Sequence, residues 1–83
     1  MGVNNFYQLA LRYAKMKGCS IVKDAGAEDG WHYFAYYRLN LPKYGSLPSA
    51  IRIDADGKIE ELRSFIMRQK VSNKAYALEH SQH

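Results

Sequence analysis

The sequence predicts one α+β domain with the element order α-β-β-β-β-α, in which two hairpins form an antiparallel four-stranded sheet and both helices pack on one face of it. Three segments lead to this prediction: an amphipathic stretch near the N-terminus, an almost wholly aromatic stretch at residues 31–39, and an alternating stretch at residues 49–54 that ends in a turn. A chain of 83 residues lies below the usual domain size of about 100 to 150 residues, so we expect a single core.

The first helix is predicted over residues 5–17. Apolar residues recur there at helical spacing, whereas Arg12 and Lys15 lie in a polar stripe on the opposite side. Asn5 is expected to be the N-cap, and Gly18 can adopt the left-handed conformation that ends a helix.

Two strands are predicted next. Residues 19–24 are short and β-branched in their middle, and residues 31–39 are rich in aromatic side chains, so we expect them to pair as an antiparallel hairpin. The turn-rich residues 24–30 would form the loop between them. An irregular crossing is then expected, because three residues that break regular structure follow: Pro42, Gly45 and Pro48.

The third strand is predicted from the alternation at Ser49–Asp54, and the Asp54–Gly57 segment predicts a hairpin turn. Residues 58–63 fit either a fourth strand or the start of a helix, since their apolar residues also match helical spacing. We predict a strand to about Arg63 and then a helix from Ser64 that passes a weak point at Ser72–Asn73. The domain is expected to span residues 1–78, with residues 79–83 as a disordered tail that is typical of an appended tag.

The charge distribution separates the chain into three parts. The formal net charge is +4, and residues 1–23 and 63–74 carry basic side chains without acids, whereas residues 24–62 are mildly acidic. Cys19 is the single cysteine, which excludes an internal disulfide and favours a cytoplasmic location. No stretch has the roughly 20 apolar residues that a membrane span needs, so we expect no membrane partner.

No pattern of catalytic or metal-ligating residues is found, and we therefore predict that the protein is not an enzyme and requires no cofactor. Cys19 and His32 are the one nucleophile–base pair that could meet across the first hairpin. The aspartates of residues 54–57 lack the spacing of a calcium loop and are better explained as turn residues. His80 and His83 are too few ligands for a zinc site.

The candidate binding site is a sheet face that the helices would leave open. If the more apolar side of the aromatic strand faces the helices, five aromatic and basic residues share the other side: His32, Phe34, Tyr36, Arg38 and Arg52. Such a face is typical of a protein-interaction or self-associating module, with a protein partner or a homodimer as its assembly.

The alternative is a nucleic-acid-binding module. Aromatic rings on the same face could stack on unpaired bases while arginines hold phosphates, or a duplex could bind a basic patch on the helices formed by Arg12, Lys15, Arg68 and Lys70. We favour the protein partner, because the net charge is modest and acidic residues near the sheet would repel phosphates.

Overall fold

The computed structural model describes residues 5–38 and 49–81. It contains α1 (Phe6–Met16), β1 (Ile21–Glu28), β2 (Trp31–Tyr37), β3 (Ser49–Asp54), β4 (Ile59–Glu61) and α2 (Phe65–His80). The strands form one antiparallel sheet in the order β1-β2-β3-β4. The predicted α+β class, the element order and the four-stranded antiparallel sheet are therefore confirmed. The predicted crossing at Pro42, Gly45 and Pro48 lies outside the described residues.

The two helices pack on opposite faces of the sheet, which corrects the prediction that they share one face. Under α1 lies a cluster that includes Phe34, Ile51 and Ile53, whereas under α2 lies a second cluster that includes Ala35 and Ala50. Phe34 and Ala35 are neighbours in one strand and point to opposite sides, so both sides of β2 are buried. The protein is a three-layer α/β/α sandwich with a central antiparallel sheet.

The sequence of β2 explains this arrangement. A strand with one face in water alternates apolar and polar residues, but Trp31–Tyr37 is apolar or aromatic at nearly every position. Such a continuous run is typical of a strand that is covered on both sides. The prediction of an open face divided this run into a more and a less apolar side, although neither side is polar.

The first hairpin is longer than predicted. β1 continues through the turn-rich segment to Glu28, with a bulge between Asp24 and Ala27. The Asp24 carboxylate accepts a hydrogen bond from the Gly26 amide at 2.7 Å, and Gly26 has a φ of +88°, so a glycine fits the bulge. The loop itself is the two residues Asp29 and Gly30, whose φ values of +54° and +83° are typical of the tight turn that joins twisted antiparallel strands.

The second hairpin and the start of the last helix agree closely with the sequence. The Asp54 carboxylate accepts hydrogen bonds from the amides of Asp56 and Lys58, each at 2.9 Å, which supports the turn interpretation of these aspartates. Of the two alternatives for residues 58–63, the structure has the strand, at Ile59–Glu61. Ser64 caps α2 by accepting a hydrogen bond from the Met67 amide at 3.4 Å.

α2 extends beyond the predicted end of the domain. Residues 79 and 80 are helical, although the sequence places them in a disordered tail. Glu79 also forms an ion pair of 2.7 Å with Lys23 on β1. Helical structure therefore continues without a break through the predicted weak point at Ser72–Asn73 to His80.

Candidate interaction surface

The aromatic residues of the predicted binding face are covered by α1. Phe34 and Tyr36 are buried, with exposed fractions of 1% and 4%. Their rings lie 6.4 Å from Tyr7 and 6.1 Å from Tyr13, both on α1. His32 is stacked on Phe34 at 4.7 Å between ring centroids. These rings form the core between α1 and the sheet, so they are not available as an open binding face.

Arg52 lies on the other side of the sheet from Phe34 and Tyr36. In the β2–β3 register it pairs with Tyr33, and its guanidinium stacks 3.9 Å from the ring centroid of Trp31. Hydrogen bonds with Tyr33 and Glu60 raise the pKa of Arg52. Arg38 is exposed just beyond the end of β2. The predicted grouping of five residues on one open face is therefore wrong, because the strand register and α1 separate them.

The alternative basic patch is also divided. Arg12 and Lys15 lie on α1, whereas Arg68 and Lys70 lie on α2, on the other side of the sheet. The Arg68 guanidinium turns back to donate a hydrogen bond to the Arg63 carbonyl at 3.2 Å. The structure therefore offers two small basic areas in place of one continuous surface.

Cys19 and His32 do not meet across the first hairpin, and no metal cluster is found in the part of the chain that the structure describes. Cys19 donates to the Lys17 carbonyl at 3.8 Å, and His32 lies 2.9 Å from Asp24, so these two predicted partners bind other groups. No three potential ligands come together in these residues. Likewise, no helix among them is long and apolar enough to cross a membrane.

A tyrosine–carboxylate cluster connects three elements around α1. The hydroxyls of Tyr13 and Tyr36 donate to the Glu61 carboxylate at 3.2 and 3.4 Å. Burial raises the pKa of Tyr36 to about 12, and the negative charge of Glu61 adds to this rise. Burial and Glu61 also raise the pKa of Tyr13. Both tyrosines are thus held neutral as hydrogen-bond donors, and the cluster braces α1, β2 and β4.

The outward side of α2 has an unusual composition. Five exposed residues recur at a 3-4-3-4 spacing along the helix, which is the spacing of a helix–helix seam: Ile66, Gln69, Asn73, Tyr76 and His80. We call this set the α2 seam. None of its members carries a carboxylate, an ammonium or a guanidinium group, and Ile66 and Tyr76 are 69% and 65% exposed.

Two charged residues of α2 are paired with β1 of the same domain. Lys74 forms an ion pair of 3.1 Å with Glu28, and Glu79 forms one of 2.7 Å with Lys23, both across to β1. The outward stripe of α1, by contrast, carries exposed Arg12 and Lys15, as is usual for a helix in contact with water. The outward side of α1 therefore carries charged side chains, whereas the α2 seam does not.

Contacts within the α2 seam hold its polar members in place. The Gln69 side-chain amide donates to the Asn73 carbonyl oxygen at 3.3 Å, and the rings of Tyr76 and His80 lie 4.0 Å apart. These are neighbouring positions on one helix face. The seam thus presents an ordered uncharged surface to the outside.

Beside the α2 seam lies a cleft of about 600 Å³ between α2 and the tip of the first hairpin. Tyr33, Met67 and Val71 line it, and acidic and basic side chains stand at its edge. Asn73 and Ala77 belong both to the outward side of α2 and to the wall of the cleft. The seam and the cleft are therefore continuous.

No family model, curated protein or solved structure matches the chain.

The sequence contained a signal for the α2 seam. Positions 66, 69, 73, 76 and 80 can be read from the chain as a heptad-type stripe without charge, once residues 65–80 are treated as one helix. The predicted helix from Ser64 already contains the first four of these positions, and only His80 falls in the predicted tail. The predicted surfaces nevertheless use only the sheet face and, on this helix, the basic residues Arg68 and Lys70.

Proposed function

We propose that this protein is a self-associating interaction module that packs the α2 seam against the same seam of a second copy. The observation that carries the proposal is the uncharged 3-4-3-4 stripe on the solvent side of α2, in a chain of which 24% of the residues are charged. The proposal keeps the class of function that the sequence predicts, a protein-binding module, and moves the surface from the sheet to the helix.

The energetics favour a covered seam. Ile66 and Tyr76 leave most of their side chains in water, and burying such apolar area contributes roughly 25 cal/mol per Å². Because α2 is already folded on the sheet, little conformational entropy is lost when it pairs. A polar residue at a central seam position, here Asn73, is typical of helix pairs with a fixed register. An interface of one helix per copy is small, so we expect a dissociation constant in roughly the micromolar range.

The two edges of the sheet are less suitable than the α2 seam for contact with a second copy. β4 has only three residues, and β1 carries the bulge at Gly26, which interrupts its row of hydrogen-bonding groups. Neither β1 nor β4 therefore offers a long, regular row of hydrogen-bonding groups for a strand of a second copy. The seam is the more favourable surface for a second copy.

The test is sedimentation equilibrium of the wild type, Ile66→Lys and Met16→Lys. Ile66 and Met16 have nearly equal exposed fractions, 69% and 72%, but Met16 lies on α1, so it is a matched control. We expect a concentration-dependent dimer for the wild type and Met16→Lys. We expect association of Ile66→Lys to weaken at least about 100-fold, because two unpaired ammonium groups would enter the interface.

Three outcomes would contradict the proposal. A wild type that stays monomeric at high concentration would exclude self-association. Equal weakening by Ile66→Lys and Met16→Lys would move the contact away from α2. A monomer that binds an oligonucleotide, with affinity that falls steeply as salt rises, would support the nucleic-acid alternative instead.

A further inference from the structure

The acidic tip of the first hairpin stands next to the α2 seam. Glu28 and Asp29 line the cleft beside α2 together with Lys70 and Lys74. Lys74 is engaged with Glu28 at 3.1 Å. Among the ion pairs of residues 5–38 and 49–81, none involves Asp29, which is exposed. An exposed acidic side chain outside these ion pairs thus borders the proposed interface.

The spacing of the α2 seam gives a different set of facing residues for each direction of the second helix. In an antiparallel pair centred on Asn73, Ile66 faces His80 of the second copy and Gln69 faces its Tyr76. On the side of the seam that borders the cleft, Ala77 then faces Lys70 of the second copy. In a parallel pair, Ala77 would instead face Ser72.

Of the two directions, only the antiparallel one brings a lysine of the second copy to the acidic tip. Ala77 is the short side chain between the seam and the cleft, so it leaves space for a long side chain from the facing helix. Lysine can lay its aliphatic stem along such a surface and keep its ammonium group at the edge. The antiparallel direction also aligns opposite helix dipoles, whereas the parallel direction would place the basic starts of both helices together.

We infer that the two copies pair through antiparallel α2 helices and that Lys70 of each copy forms an intermolecular ion pair with Asp29 of the other. The inference rests on the proposed self-association and specifies its geometry. By the two-fold symmetry of such a dimer, the pair occurs twice.

The test mixes two charge-reversed variants, Lys70→Glu and Asp29→Lys. Each variant alone should form a weaker homodimer, by roughly tenfold, since each homodimer contains two like-charge contacts. In the mixed dimer both contacts again join opposite charges, so native mass spectrometry should show the heterodimer in excess over the statistical half. High salt should remove this preference, because the charges are exposed and screened. A contact within one chain could not produce it.

Asp29 has a positive φ of +54°, which lysine adopts less readily than aspartate, so Asp29→Asn serves as a second partner variant. Mixed with Lys70→Glu, it should also give an excess of heterodimer, although a smaller one. A statistical mixture with either partner variant, while the wild type dimerises through the α2 seam, would overturn the ion pair and leave self-association intact. A monomeric wild type would overturn both, and sedimentation of the wild type distinguishes these results.

Discussion

Replacing Phe34 by leucine tests the three-layer arrangement, because Phe34 is a core residue if α1 covers it and a surface residue if the sheet face is open. Phe34 is 1% exposed and packs with Ile51 and Ile53 under α1. Truncation of a buried phenylalanine to alanine costs about 3–5 kcal/mol, which equals the whole stability expected of so small a domain. Leucine keeps part of the side chain, and we expect Phe34→Leu to cost about 1–2 kcal/mol.

Phe65→Leu is the matched control for this experiment. Phe65 begins α2 and is 51% exposed, so the same change should alter stability by less than about 0.5 kcal/mol. Both variants would be unfolded in urea at low protein concentration and followed by circular dichroism. In a separate thermal melt, Phe34→Leu should lower the melting temperature by roughly 4–8 °C for each kcal/mol lost. Equal transition midpoints for Phe34→Leu and Phe65→Leu would refute the claim that α1 covers Phe34 on the sheet.

Three further predictions concern single contacts. Because the pKa of Tyr36 is about 12 in the folded protein and about 10 in an unfolded chain, the unfolded state ionises first, so the unfolding free energy should fall as pH rises from 10 to 12. Glu61→Gln should lower the pKa of Tyr36 in a tyrosinate absorbance titration, whereas Glu60→Gln should not; equal titrations would exclude the cluster. Gly26→Ala should cost about 1–2 kcal/mol in urea unfolding, since its φ is +88° while a Cβ there would meet only ordinary contacts; an unchanged midpoint would contradict the bulge. Ala35→Leu should cost about 1–3 kcal/mol by overpacking the layer under α2, and a neutral result would mean that this layer is loose.

The sequence was sufficient for most of the fold. The amphipathic pattern of residues 5–17 and the alternation at Ser49–Asp54 are local signals, and both elements occur where they predict them. The side of the sheet on which each helix packs is set by long-range contacts, and β2 is apolar on both sides. Its composition is therefore compatible with both helices on one face of the sheet and with one helix on each face. The strand register and the buried clusters distinguish these two arrangements.

The candidate site could be predicted only in part. A protein-binding role stays a prediction, and the structure changes the residues on which it would depend. The prediction puts Phe34 on the surface, because it assigns only one side of β2 to the core. Ile66 and Tyr76 lie within the predicted helix, but the predicted surfaces use its basic residues and the sheet face. The uncharged stripe to which Ile66 and Tyr76 belong is therefore not among the predicted surfaces.

Amide nitrogen–proton spectra of the wild type, recorded below and above its association midpoint, test the central proposal most directly. If the α2 seam is the interface, the largest shifts on concentration should fall on residues 66–80 and on the hairpin tip at Asp29, while α1 and the free edge of β1 should change little. Shifts that cluster on α1 or along residues 21–24 of β1, away from the hairpin tip, would contradict it, as would spectra that do not change with concentration.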